Sequence, residues 1–254
     1  MILTLTPNPS LDRTVSLPGP LQRGAVQRLT GVVMEPGGKG VNVARVLSNA
    51  GRAATAVLPA AENDPILTAL GALELPGLTV RSVPVAGPAR INTAVTEPDG
   101  TTTKLNELGA GLSEEEIDAV EQALLETLTL TGVSAGADTH HWAVLSGSLP
   151  PGAPARWYAR LVGLLREAAP GLRIAVDTSD EPLAALAAEL PASAPDLIKP
   201  NGEELGQLAG LPAERAMALE EGALRGDYGP VVDAARLLVE IGRASCRERV
   251  FRAV

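Results

Sequence analysis

Short apolar runs that break into polar loops and give way to helical patterns recur along this chain, and no other feature narrows its fold so far. Ile2–Thr6 alternates apolar residues with threonine and stops at Pro7 and Pro9. Lys39 to Ala50 carries Val43, Val46 and Leu47 at helical spacing, with Gly51 placed to end the helix. Ala54–Leu58 is a short strand. Ser113 and Glu116 form a capping box that opens a helix running to about Leu128. Trp142–Leu145, Arg173–Val176 and Leu197–Ile198 are further strands, with helices over Ala155 to Ala168 and from Asn201 onward. Strand, loop and helix in repeated succession predict an α/β fold, a central and mostly parallel sheet flanked by helices.

Two pieces break that rhythm. Arg13–Leu17 and Ile91–Leu105 alternate with polar residues, and the second contains the turn Glu97-Pro98-Asp99-Gly100. They predict a small antiparallel β lid, residues 12–30 and 88–108 approximately, standing off the main domain and exposed on one face. Such a face gains by being covered, so a homodimer through the lid is expected.

Composition closes off other classes. At 254 residues and 45% hydrophobic, the chain builds one large packed domain or one domain with a small appendage. No apolar stretch approaches the roughly 20 residues of a membrane helix, and MILTLTPNPS does not read as a signal peptide, so a cytoplasmic address is expected. A net charge of −9 argues against a nucleic-acid partner. One cysteine excludes an internal disulfide or a zinc cluster, and two histidines, His140 and His141, make a metallohydrolase a poor fit. Of 21 basic residues only Lys39, Lys104 and Lys199 are lysines, each inside a polar or glycine-rich motif.

The chemistry-bearing residues fall at strand ends. Gly37-Gly38-Lys39-Gly40-Val41-Asn42 opens a helix; glycines let a ligand approach the backbone, and free N–H groups attract anions. The plainer reading is a tight turn, but a rare lysine inside it favours the ligand. It is not a Walker A loop, because the required spacing is absent. Asp12 follows the first strand, as a turn residue or as an acceptor for two sugar hydroxyls. Arg90-Ile91-Asn92 begins the lid hairpin; the arginine is either solvated or clamps a phosphate with its planar fork. Ser146-Gly147-Ser148-Leu149-Pro150 ends a strand where open α/β sheets bind ligands, without the Gly-x-Ser-x-Gly of a nucleophile elbow. Lys199-Pro200-Asn201, with Glu203 and Glu204, is either an acidic helix start or a face on which Asn201 and Glu204 meet a hydrated Mg²⁺.

Residues 4–12 (Thr-Leu-Thr-Pro-Asn-Pro-Ser-Leu-Asp), Gly37–Asn42 with Ala44-Arg45-Val46-Leu47, Arg90-Ile91-Asn92, Leu145–Pro151, Val176-Asp177-Thr178-Ser179 and Lys199–Leu205 occur in the order found in the PfkB family of ribokinase-like sugar kinases. The chain resembles that family to about residue 240, and within it the branch of 1-phosphofructokinases and tagatose-6-phosphate kinases. The resemblance implies a ribokinase-like kinase domain over residues 1–240 that uses ATP and Mg²⁺ to phosphorylate a ketohexose phosphate. It implies fructose 1-phosphate first, with tagatose 6-phosphate as the alternative. A nucleoside kinase of the same fold has no need of Lys39 or Arg90 to meet a substrate phosphate. By position, Asp12 matches the acid that holds sugar hydroxyls, and Gly37, Gly38, Lys39 and Asn42 match the substrate-binding glycine motif. Arg90 matches the grip on the sugar's phosphate, with Asn92 and Asn106 beside it in the lid. Lys199 resembles a lysine near the ATP phosphates. Asn201 and Glu204 match the Asn-x-x-Glu motif, with Glu204 acting on the metal through water. Asp180 stands where the branch often has glycine, and a solvent-facing position is expected for it; Lys104 has no match, and its role is open.

One departure matters most. The family's Gly-Ala-Gly-Asp run, whose aspartate is the base and whose amides form the anion hole, does not occur in this sequence. The last 14 residues hold the only cysteine, the only phenylalanine and four arginines, unlike the rest. Glu240 to Val250 back-translates to a string resembling a short-read sequencing adapter. The expectation is therefore a gene fragment with a non-native tail over 241–254, the C-terminal part of the core missing. Such a chain is expected to be a sugar-phosphate binder without catalysis, or an unfolded fragment.

Overall fold

The computed structural model describes residues 1–132 and 141–240. They fall into two compact units, Met1–Thr127 with Leu149–Ala153, and Leu128–Ser148 with Pro154 onward. The tail expected from about residue 241 lies outside the described residues.

The first unit holds, in order, β1 (Ile2–Leu5), β2 (Ser10–Ser16), β3 (Gly31–Gly37), α1 (Lys39–Asn49), β4 (Ala54–Ala60), α2 (Pro65–Ala72), β5 (Leu78–Pro84), β6 (Arg90–Thr96), β7 (Thr102–Asn106) and most of α3 (Glu114–Leu130). β4 lies between β1 and β5, parallel to both. Almost every residue of β4 is buried, as a central parallel strand requires. Val41 and Ala44 of α1, Ala56 and Leu58 of β4, and Ile66 and Leu70 of α2 share one core cluster. Deleting a side chain such as Leu58 from it should cost about 2–5 kcal/mol. α1 ends as expected, at Ala50 followed by Gly51 with φ +71°. The Ser113–Glu116 capping box is present, with reciprocal bonds of 2.8 and 3.2 Å.

The second unit holds β8 (Trp142–Ser146), α4 (Trp157–Ala168), β9 (Arg173–Asp177), α5 (Asp180–Ala188), β10 (Leu197–Ile198), α6 (Gly202–Leu208), α7 (Ala213–Leu224) and α8 (Gly229–Glu240). β9 lies between β8 and β10, again parallel to both. α4 buries Trp157, Tyr158, Leu161, Val162 and Leu165, one face at helical spacing. The described residues thus contain six parallel strands with helices between them, the α/β architecture predicted. No helix among them is long and apolar enough to cross a membrane.

The lid is a separate four-stranded sheet in the order β3-β2-β6-β7. The hairpin around Glu97–Gly100 is as expected, with Gly100 N–H donating to the Glu97 carbonyl at 3.0 Å. Two details differ from the antiparallel lid predicted. Its central pair, β2 and β6, runs parallel, so the sheet is mixed. No hairpin joins these strands; the chain leaves through β3 and returns by way of α1 to β5, which permits the same direction. The outer strand is residues 31–37 rather than the segment up to 30. Its run Val32-Val33-Met34 does not alternate, and Pro36 suits only an edge.

Candidate functional site

Strand register puts four polar residues in one row across the lid sheet. Asp12 pairs with Glu35 on one side and Asn92 on the other, and Asn92 pairs with Asn106. Asp12 is held in place: its Oδ1 accepts from Ser10 Oγ at 2.8 Å and from Asn92 Nδ2 at 3.1 Å. Its Oδ2 lies against the Gly37 backbone, where an added Cβ would sit 2.2 Å away. Gly37 is therefore glycine because the Asp12 carboxylate occupies the space of a side chain. Glu35 instead turns to Arg45, whose Nη2 is 3.1 Å from its Oε1.

The rest of the glycine run brings β3 into α1. Gly38 has φ +106°, and a Cβ there would meet Thr6 Cγ2 at 2.5 Å. No residue beside α1 caps it; the Val41 N–H is met by Thr6 Oγ1 at 2.8 Å, from the end of β1. Lys39 and Asn42 are exposed on the first turn. Arg45 braces this turn, donating to Asn42 Oδ1 at 3.4 Å and to the Pro36 carbonyl at 2.8 Å.

Arg90 starts β6 opposite Ser10, two residues along the strand from the Asp12–Asn92 pair and on the same face. Its Nη1 donates to the Glu107 carbonyl at 3.4 Å. Burial pushes its guanidinium below the ordinary arginine value, and the Asp12 carboxylate pulls it partly back. Arg90 Nε and Asn92 Oδ1 are both buried with no hydrogen-bond partner among the described residues. A buried donor and a buried acceptor left open are costly unless something fills them. Lys104 is exposed on the same face, opposite Ala94 and two residues before Asn106.

The other three candidates belong to the second unit. Lys199 follows β10, its Nζ 3.5 Å from Asp177 Oδ1, while Asp177 Oδ2 accepts from Ser146 Oγ at 3.3 Å. Asn201 and Glu204 form a capping box at the start of α6: Asn201 Oδ1 accepts the Glu204 N–H and Glu204 Oε2 the Asn201 N–H, both at 2.8 Å. The box gives both residues a structural task, whatever else they do. Asp180 is exposed, as expected, but its φ of +55° is left-handed, which is the reason a glycine suits that position. Thr6, Ser10, Glu35, Arg45 and Asp177 had not been singled out as candidates. Arg45 lies one helical turn after Asn42, which was a usable signal; pairs fixed by register or by distant strand ends left none.

The profile of the pfkB family of carbohydrate kinases matches residues 8–224, a span that includes all eleven candidate residues. The chain belongs to this family. It is 37% identical over 208 residues to the 1-phosphofructokinase of Rhodobacter capsulatus, covering 81% of this chain and 60% of that protein. It is 35% identical over 243 residues to the 1-phosphofructokinase of Xanthomonas campestris pv. campestris, covering 94% and 68%. The chain thus spans between three fifths and about two thirds of these relatives' lengths. Among solved structures it resembles phosphofructokinase-2 of Escherichia coli in complex with fructose-6-phosphate. The TM-score is 0.76 at 30% identity, over 96% of this chain and 71% of that one.

Proposed function

We propose that this protein is built to phosphorylate a ketohexose phosphate with ATP in the cytoplasm, taking fructose 1-phosphate to fructose 1,6-bisphosphate. The observation that carries the reading is the pair of open buried atoms, Arg90 Nε and Asn92 Oδ1, beside the anchored carboxylate of Asp12. Asp12 accepts from sugar hydroxyls, Asn92 and Asn106 bond others, and Arg90 with Lys39 grips the phosphate already on the sugar. Gly37 gives the Asp12 carboxylate the room it occupies, and Gly38 turns the chain into α1 beside it. A dianion suits Arg90 because a charge-assisted pair offsets the cost of holding its guanidinium charge partly out of water.

ATP and Mg²⁺ belong to the same reading. Bound there, they would supply the phosphoryl group and neutralise its developing charge. Lys199 would meet the nucleotide's phosphates. The donor set offered by Asn201 and Glu204 is one amide and one carboxylate, with Glu204 Oε2 already bonded to the Asn201 N–H. The described residues hold no cluster of three His, Cys, Asp or Glu suited to a metal. That set fits a magnesium ion that keeps most of its waters, so Glu204 acts on it indirectly. With no Gly-Ala-Gly-Asp run to supply a base, the 254-residue chain binds sugar phosphate without transferring phosphate to it.

The lid face opposite Asp12 carries Val32, Met34 and Leu105, 50%, 48% and 60% exposed. We assign that face to a second copy of the chain; Val32→Glu should turn a dimer into a monomer in sedimentation velocity, and an unchanged profile would remove the assignment. The substrate is tested by ³¹P NMR titration and calorimetry of the 254-residue chain with fructose 1-phosphate, fructose 6-phosphate, tagatose 6-phosphate and fructose. Fructose 1-phosphate should bind most tightly and fructose not measurably. Tighter binding of fructose 6-phosphate, the ligand named for the Escherichia coli structure, would reassign the substrate. Equal binding of fructose would overturn the phosphate grip.

A further inference from the structure

We propose that Asp64 is a positioning residue for this site, acting through Arg90; the proposal rests on the reading of Arg90 as the phosphate grip. The segment Val85–Ala89 carries the chain from β5 to β6 and delivers Arg90. It is tied down by its amides: Val85 N–H to the Ala60 carbonyl at 3.2 Å, Ala86 N–H to Glu116 Oε1 at 2.6 Å, and Ala89 N–H to Asp64 Oδ2 at 2.6 Å. Gly87 packs so closely on Ala110 that a Cβ would lie 2.4 Å from its side chain. Asp64 holds the last point before Arg90, and it is the buried anchor, 4% exposed.

The same carboxylate also caps α2, its Oδ1 accepting the Ile66 N–H at 3.0 Å. Capping alone does not call for aspartate, since serine caps a helix as well and buries no charge. What the longer, charged side chain adds here is the second oxygen, and that oxygen meets Ala89. Asp64 therefore joins the start of α2 to the residue before Arg90. It fixes where β6 begins and where the Arg90 guanidinium sits beside Asp12. Nothing in the strand-and-loop pattern marked this residue as part of the site.

The test compares the parent chain with Asp64→Ser, which keeps the cap but is too short to reach Ala89. Fructose 1-phosphate affinity is read by ³¹P NMR, which registers weak binding, and amide protection by hydrogen exchange. The Ser variant should lose at least tenfold in affinity, but less than twofold when made on top of Arg90→Ala, because its effect passes through Arg90. The Ala89 amide should exchange faster while Ile66 and Leu67 stay protected, and the Arg90 Nε–H resonance should move. Unchanged affinity, equal losses in both backgrounds, or a protected Ala89 amide would overturn the proposal. If the Ser variant does not fold, Asp64→Asn fills the same space with one acceptor oxygen. Affinity should then fall in step with Ala89 protection, and a fall with Ala89 still protected counts against the clamp. A parent that binds no sugar phosphate defeats the proposed function instead; the Arg90 resonance and Ala89 exchange then still decide whether Asp64 holds Arg90.

Discussion

Gly37→Ala should damage the protein through one contact, and the size of the damage follows from the geometry. A Cβ at residue 37 would lie 2.2, 2.4 and 2.7 Å from Asp12 Oδ2, Cγ and Oδ1, well inside van der Waals contact. The carboxylate must swing away, giving up its bonds from Ser10 at 2.8 Å and Asn92 at 3.1 Å. Overpacking of this kind costs about 1–3 kcal/mol, and a hydrogen bond to a charged group contributes about 1.5–3 kcal/mol. With one of the two bonds lost outright and the other replaced by water, a loss of roughly 2.5–6 kcal/mol is expected, together with loss of fructose 1-phosphate binding. All three clashing atoms lie beyond the Asp12 Cβ, so Asp12→Ala removes every one of them. In that background Gly37→Ala should cost under about 0.5 kcal/mol, so that nearly all its effect appears as coupling between the two sites. The assay is urea denaturation followed by circular dichroism. Tryptophan fluorescence would report the wrong place, since Trp142 and Trp157 both lie in the second unit. An equal penalty in both backgrounds would refute the reasoning and locate the strain in the backbone of residue 37.

Arg90→Ala should weaken fructose 1-phosphate binding by about 2–5 kcal/mol, roughly 30-fold or more, in a calorimetric titration; unchanged affinity would remove Arg90 from the phosphate. Asp180→Gly should be more stable than Asp180→Ala by about 1 kcal/mol in denaturant melts, since both lose the charge and only alanine is strained at φ +55°. Asn201→Ala should cost about 0.5–2 kcal/mol and Asn201→Ser almost nothing, as the capping box requires; a Ser variant that stays stable yet loses Mg·ATP affinity assigns the amide to the nucleotide as well. In a coupled ADP-release assay the 254-residue chain should show no turnover beside a form extended by a family Gly-Ala-Gly-Asp segment, since a general base alone contributes about 10²–10⁴-fold; comparable rates would place the base among the residues present.

Much of the fold was legible because it is written locally. An N-cap with its partner three residues on, as at Ser113 and Glu116, needs only one turn of chain to be recognised. A strand buried on both faces, as at β4, shows as an apolar run. The start of α2 is written just as locally: Asp64-Pro65 is an N-cap followed by proline at the first helical position. β3 was out of reach, because Val32, Val33, Met34 and Glu35 are all exposed and an unburied edge strand writes no alternation. The parallel pairing of β2 with β6 could not be read either. It depends on where the chain returns after a long excursion, and no property of either strand encodes that.

The site divides along the same line. Its residue types were legible at Asp12, at the glycine run and at Arg90, because each departs from what a plain strand or turn needs. Their mutual dependence was not. Gly37 and Asp12 read as two independent signals, one for a bare backbone and one for a carboxylate at a strand end. In the structure they are one, since the missing side chain of the first is the room taken by the second. The row Glu35–Asp12–Asn92–Asn106 likewise exists only once three strand pairings are fixed, and a slip of one residue in any of them would turn its strand's polar side chain to the opposite face. Asn201 and Glu204 show the converse. Their spacing of three is legible and serves a helix cap and a metal-facing pair equally well, so spacing alone could not separate the two readings. The capping bonds settle that the first task is performed, and they leave Glu204 with one carboxylate oxygen outside the box, which is what a water-mediated second task would need.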